Sequence, residues 1–199
     1  MSDTTAALPR LDGRKLRTCL GSFATGVTVI TYLANGEPRG ATVSSFTSVS
    51  LDPPLILVSV ARTAKTASLL PGQPFVVNVL AANQRDVALH FAGRPRDDLD
   101  VPWSQDARTP RLRGTLAWLE CVPWATYDGG DHLMFVGEVV HHDHRPGEPL
   151  LFHRGTFHTL GLAFDYLPPT TRRGEPRAAQ WLSYAHQLHH LSEPGLISV

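Results

Sequence analysis

The sequence predicts a mainly β protein, a mostly antiparallel barrel with short helices on its outside. Three observations carry this. About seven segments are rich in β-branched or aromatic residues and read as strands. Several are joined by turns of hairpin length. Strand and helix patterns do not alternate regularly, which argues against a doubly wound parallel sheet and for a closed antiparallel one.

The elements follow in order. Residues 1–11 are small and polar and carry no pattern. From Asp12, a possible N-cap, Leu16, Cys19, Leu20 and Phe23 recur at helical spacing, and Gly26 ends the run. GVTVITY (26–32) reads as a strand, Asn35-Gly36 as a hairpin turn, and ATVSSF (41–46) as the returning strand. Pro53-Pro54 cannot lie in a central strand and punctuates the entry to LILVSVA (55–61). A short helix is expected from about Thr63 to Leu70, stopped by Pro71-Gly72. FVVNVLA (75–81) is a strand, and Asn83 is placed to cap a helix over about 84–91. Residues 92–113, rich in Arg, Asp and Pro, read as an excursion loop. Segments 115–127 and 132–142 are two long strands across Asp128-Gly129-Gly130, and 150–161 holds one or two short strands. One domain with an extension is expected: 12–164 as the barrel, followed over 165–199 by a proline-containing linker and an amphipathic helix over 178–191.

Composition excludes several function classes. With 42% hydrophobic residues and 199 positions, the chain can bury a core without disulfides or metal. Lys+Arg and Asp+Glu are equal at 18 each, which argues against holding nucleic acid or an anionic membrane by charge, yet allows a local basic pocket. Two cysteines, Cys19 and Cys121, form no CxxC. No signal-like or membrane-spanning apolar run is present, so the reading is a cytoplasmic protein with reduced thiols. There is no GxGxxG after a strand, no Walker A loop, no GxSxG and no HExxH. The clusters His141, His142, His144 and His186, His189, His190 read as polar faces rather than as metal sites.

Three features point to chemistry. Thr42, Ser44 and Ser45 put small donors on and just after one strand. Ser59, Arg62, Thr63 and Lys65 add hydroxyls and cations near a helix start, a pattern suited to phosphate. Asp131-His132 opens a strand after a Gly-Gly turn, where a carboxylate-held histidine can orient a ligand or move a proton.

FATGVTVIT (23–31), ATVSSFTSVSLDPPLILVSV (41–60), FVVNVLAANQ (75–84), GDHLMFVGEV (130–139) and EPLLFHRGTFHTLG (148–161) stand in order at fitting separations. Together they resemble the short-chain flavin reductase family, the reductase components of two-component flavin-dependent monooxygenases. The resemblance implies a six-stranded antiparallel Greek-key split barrel and a homodimer with flavin in a groove near the subunit interface. It implies FMN or FAD as flavin, NADH or NADPH as hydride donor, and a monooxygenase as partner. On it, Thr42, Val43, Ser44 and Ser45 line the isoalloxazine and ribityl chain, and Ser59, Val60 and Ala61 border the same groove. Arg62 and Lys65 meet the flavin phosphate, and Phe91 walls the pocket. His132 lies near the nicotinamide and flavin faces as the catalytic residue, with Asp131 orienting the turn. Two other readings of the same barrel are a tightly held FMN acting on an organic substrate, and a non-enzymatic flavin or haem carrier.

Overall fold

The computed structural model describes residues 11–105 and 107–161. The expected linker and C-terminal helix lie outside them.

Helix α1 (Gly13–Leu20) starts where expected. The Asp12 carboxylate accepts the Arg14 N–H at 2.9 Å and the Lys15 N–H at 3.4 Å, satisfying two orphan donors of the first turn. Its apolar row is not buried: Leu16 and Leu20 stay exposed, and Phe23 beyond it is 78% exposed.

Strand β1 (Thr25–Gly26) leads into β2 (Thr28–Ala34), which turns back into β3 (Glu37–Val43). Asn35 and Gly36 both take positive φ (55° and 79°), the geometry that matches the twist of a tight hairpin and that Asn and Gly tolerate best. The returning strand therefore begins earlier than expected and ends at Val43, with 44–46 outside it. Pro38 is accommodated because β3 is an edge strand. Strand β4 (Thr47–Leu51) was not expected. It is a short, hydroxyl-rich edge strand paired with β5 (Pro54–Ala61), and a register shift between Ser48 and Ser50 interrupts its alternation.

Helix α2 spans Lys65–Leu69, and β6 spans Phe75–Val79. A 3₁₀ turn (Ala82–Gln84) precedes α3 (Arg85–Phe91). Asn83 is not the cap. Gln84 holds the N-cap position of α3 without a side-chain cap bond; its Oε1 reaches back across the 3₁₀ turn to accept from Ala81 N at 3.0 Å, and its Nε2 donates to Arg113 O at 2.9 Å. Among its described residues, the excursion that follows carries neither helix nor strand beyond one isolated bridge, Trp103 to Leu112. Strands β7 (Ala117–Gly129) and β8 (His132–His144) form the long hairpin. Strands β9 (Leu151–His153) and β10 (Thr156–His158) close the described chain, with β9 between β1 and β10 in a small sheet.

The main sheet has the order β3-β2-β6-β7-β8-β5-β4, antiparallel throughout. Its ladder runs over seven strands where six were expected, because β4 adds to the edge beyond β5. The sheet curls, so that β3 and β5 meet although five places separate them in the order. At that split, the Ser45 hydroxyl accepts from Ser59 N at 2.9 Å and donates to Ser59 O at 2.8 Å, replacing a ladder hydrogen bond.

Two apolar clusters result. Ile30, Tyr32, Val58, Val60, Phe75, Val77 and Phe135 fill the inside of the curl. Val27, Val29, Leu80, Val87 and Leu112 pack outside it, under α3 and the excursion. Strand β2 is thus covered on both faces, which is why its sequence is apolar nearly without alternation. Each fully buried aliphatic or aromatic side chain contributes about 1.5–3 kcal/mol.

Candidate functional site

Strand alternation decides where each candidate points. On β5, Val58 and Val60 are core residues, so Ser59 and Ala61 face outward. Opposite them on β8, Leu133 and Phe135 pack into the core, and His132 and Met134 share the outward face. Ala61 pairs directly with His132. On β3 the parity differs. Val43 packs against the interior, while the Thr42 hydroxyl donates to Ala88 O of α3 at 2.7 Å. Ser44 is exposed just past the strand end, and Ser45 is half-buried beside Ser59.

The sequence candidates therefore divide. Ser44, Ser45, Ser59, Ala61, Asp131 and His132 present polar atoms or backbone at or near the surface around the end of β5 and the β7–β8 turn. Val60, 3% exposed, is a core side chain and borders any groove only through its backbone. Phe91 packs on the α3 side. Its ring meets Trp103 edge-on at 5.8 Å and lies over Gly40, where an added Cβ would sit 2.9 Å from it. That position explains why residue 40 has no side chain.

The turn at Asp131-His132 is the most organised polar cluster. His132 Nδ1 is 2.7 Å from Asp131 Oδ1. A carboxylate on Nδ1 favours the proton there and leaves Nε2 as the ring nitrogen that Asp131 does not engage. The hydrogen bond from His132, then its charge, holds the Asp131 carboxyl below the usual carboxylate range, with Arg17 of α1 adding a smaller effect. Arg62, expected to face an anion, is instead engaged by the turn. Its Nε donates to Gly130 O at 2.7 Å and its Nη2 to Asp128 Oδ2 at 2.5 Å.

Lys65 begins α2, a helix of only five residues, so no substantial helix field adds to its charge. It lines a cavity of ≈ 330 Å³ together with Tyr32, Asn35, Arg39 and Thr66. Two cations and two small polar side chains thus share one concavity, with the Arg39 guanidinium also ion-paired to Glu37 of its own strand. Sequence reading missed Arg39, because only the hairpin folding back brings it to the α2 side. His141 and His142 belong elsewhere. They line a second cavity (≈ 440 Å³) with Trp118 and Glu120 beneath the excursion, at the end of β8 remote from His132. Cys121 is buried, and that burial pushes its thiol up to about 12, so it is inert near neutrality.

Residues 20–161 match the model of the flavin reductase like domain. The chain belongs to this family. Among flavin reductase relatives, it is 44% identical over 150 residues to the FMN reductase (NADH) SmoA of Agrobacterium fabrum, covering 73% of this chain and 85% of that one. It is 37% identical over 180 residues to the reductase subunit HsaB of a flavin-dependent monooxygenase of Rhodococcus jostii, covering 88% and 91%. Among solved structures, the NADH:FAD oxidoreductase SgcE6 of Streptomyces globisporus, in complex with NAD and FAD fragments, superposes with a TM-score of 0.69 at 40% identity, covering 80% and 99%. The flavin reductase fold is the mainly antiparallel β architecture described above.

Proposed function

We propose that the protein is an NADH-dependent flavin reductase that passes reduced flavin to a separate monooxygenase. The observation that carries this is the Asp131–His132 pair, set beside Ala61 at an open end of the sheet in a chain of the flavin reductase family. The cofactors supply the hydride chemistry, and the protein supplies binding and orientation. His132 Nε2 is the free ring nitrogen and would orient the nicotinamide against the flavin. Ser44, Ser45 and the backbone of Thr42 and Val43 would meet the ring's polar edge, and Ser59 to Ala61 would border it. The donor set fits such a group: small hydroxyls and open backbone for the ring, Lys65 and Arg39 for the phosphate.

An open, surface-lying set of contacts also suits a flavin that enters, is reduced and leaves. The decisive assay is oxidation of NADH at 340 nm with added FMN or FAD. No oxidation with either flavin overturns the reading. A yellow protein that keeps stoichiometric flavin through gel filtration and turns over free flavin poorly would favour direct action on an organic substrate.

The six-stranded Greek-key barrel would comprise β3-β2-β6-β7-β8-β5, a reading supported by the antiparallel seven-stranded ladder in which β4 is the outer edge. Residues 12–164 form the reductase domain, and the site is cytoplasmic. No helix among the described residues is long and apolar enough to cross a membrane. The chain is a homodimer, supported by exposed apolar side chains on two strands of the main sheet: Leu51 of β4, and Val122, Trp124 and Tyr127 of β7.

A further inference from the structure

We infer that Arg62 and Asp128 are positioning residues for hydride transfer: together they clamp the β7–β8 turn so that Asp131 and His132 are presented at the end of β5. This rests on the reading of His132 above.

The turn is intrinsically loose. Gly129 and Gly130 are adjacent, and Gly130 takes φ 75°. Glycine loses more conformational freedom on ordering than any other residue, so this turn needs an external hold. Arg62 supplies it from the neighbouring strand end. Its backbone N–H donates to Asp131 O at 2.9 Å, its Nε to Gly130 O at 2.7 Å and its Nη2 to Asp128 Oδ2 at 2.5 Å. Asp128 completes the ring with its other oxygen, Oδ1, which accepts the Gly130 N–H at 2.8 Å. One guanidinium and one carboxylate thus fix the backbone on both sides of the glycines, immediately before His132. A planar fork is required, since Nε and Nη2 are used at once, and lysine cannot reproduce it. Both side chains are well exposed, at 43% and 76%, so the pair adds little to global stability. Its effect belongs in geometry and rate. The same contacts engage Arg62 Nε and Nη2 with the turn.

The test compares Arg62→Gln, Arg62→Lys, Asp128→Asn and the Arg62→Gln/Asp128→Asn double variant in the full chain, with FMN and with riboflavin, which lacks the phosphate. The expected result is that each single variant lowers kcat about tenfold with NADH. The loss is the same for both flavins, the flavin KM is little changed, Lys does not rescue, and the double variant is no worse than the singles. The imidazole proton resonances of His132, assigned by their loss in His132→Ala, should shift in every one of these variants while the melting temperature stays put. A raised KM for FMN but not riboflavin in Arg62→Gln, with Asp128→Asn silent, overturns the clamp and returns Arg62 to the phosphate. Unshifted His132 resonances overturn it as well. If His132→Ala turns over NADH normally, the reading of His132 has failed. If His132→Ala is impaired but the Arg62 and Asp128 variants are not, only the clamp has failed.

Discussion

His132 draws its significance from where one ring nitrogen is tied and the other is free. With Nδ1 on Asp131, the ring cannot rotate away without losing a charge-assisted hydrogen bond. His132→Ala should lower kcat/KM for NADH by roughly tenfold or more and leave FMN affinity within about twofold, read by steady-state kinetics and by flavin fluorescence titration. Equal loss of both would count against the role. The adjacent carboxylates set a pH window. Asp128 is held below its ordinary value of 3.8, first by the Gly130 N–H and then by the Arg62 guanidinium. A carboxyl depressed in the folded state favours folding above its unfolded value, and that contribution is lost as pH falls through the lower, folded value. The His132 resonances of parent and Asp128→Asn should therefore differ above about pH 5, where Asp128 is ionised. That difference should vanish as the medium is acidified below the ordinary carboxylate value. Persistence of the difference in strong acid would show that Asp128 acts other than as a carboxylate.

At the scale of elements, one buried side chain ties the excursion to the sheet. Asn78, 0% exposed in mid-strand, donates from Nδ2 to Val29 O and Thr31 Oγ1, both at 2.9 Å, and accepts the Leu112 N–H on Oδ1 at 2.9 Å. Thr31 in turn donates to Pro110 O. A polar residue in the middle of β6 breaks the apolar run FVVNV, and the loop it receives is the reason. Asn78→Ala strands the Leu112 N–H in a buried setting and should cost about 3 kcal/mol. Urea unfolding would measure that cost, and hydrogen exchange should show faster opening of residues 107–113 than of β7. Elements with local signals were legible. The Asn35-Gly36 hairpin, the Asp12 cap and the long β7–β8 pair follow from nearest-neighbour chemistry. Strand β4 was not, because its register shift breaks the alternation by which a strand is read. Asn83 was misread as a cap because both Asn83 and Gln84 can accept a backbone N–H, and only the 3₁₀ turn decides which of them reaches Ala81.

For the whole molecule, the curl of one seven-stranded sheet brings β3 to β5 and buries β2 from both sides. Among the described residues, Leu51 of β4 and Val122, Trp124 and Tyr127 of β7 leave apolar side chains exposed. Sedimentation velocity should return twice the 21.8 kDa chain mass at micromolar concentration. A monomer at that concentration would remove the homodimer from the proposal. The sequence by itself determined the antiparallel β class, the excursion over 92–113, the ordered blocks of the flavin reductase family and the Asp131-His132 pair. Those rest on local periodicity, turn chemistry and residue order, which a chain carries before it folds. Only the tertiary structure decided which groups each cation meets. Arg62 and Lys65 are three residues apart and look like one phosphate site. Strand pairing sends Arg62 to the β7–β8 turn, and the folded-back hairpin brings Arg39 to Lys65. The physical reason is that a side chain's partner is chosen by which distant strands lie within hydrogen-bond reach, and that distance exists only after the sheet has curled.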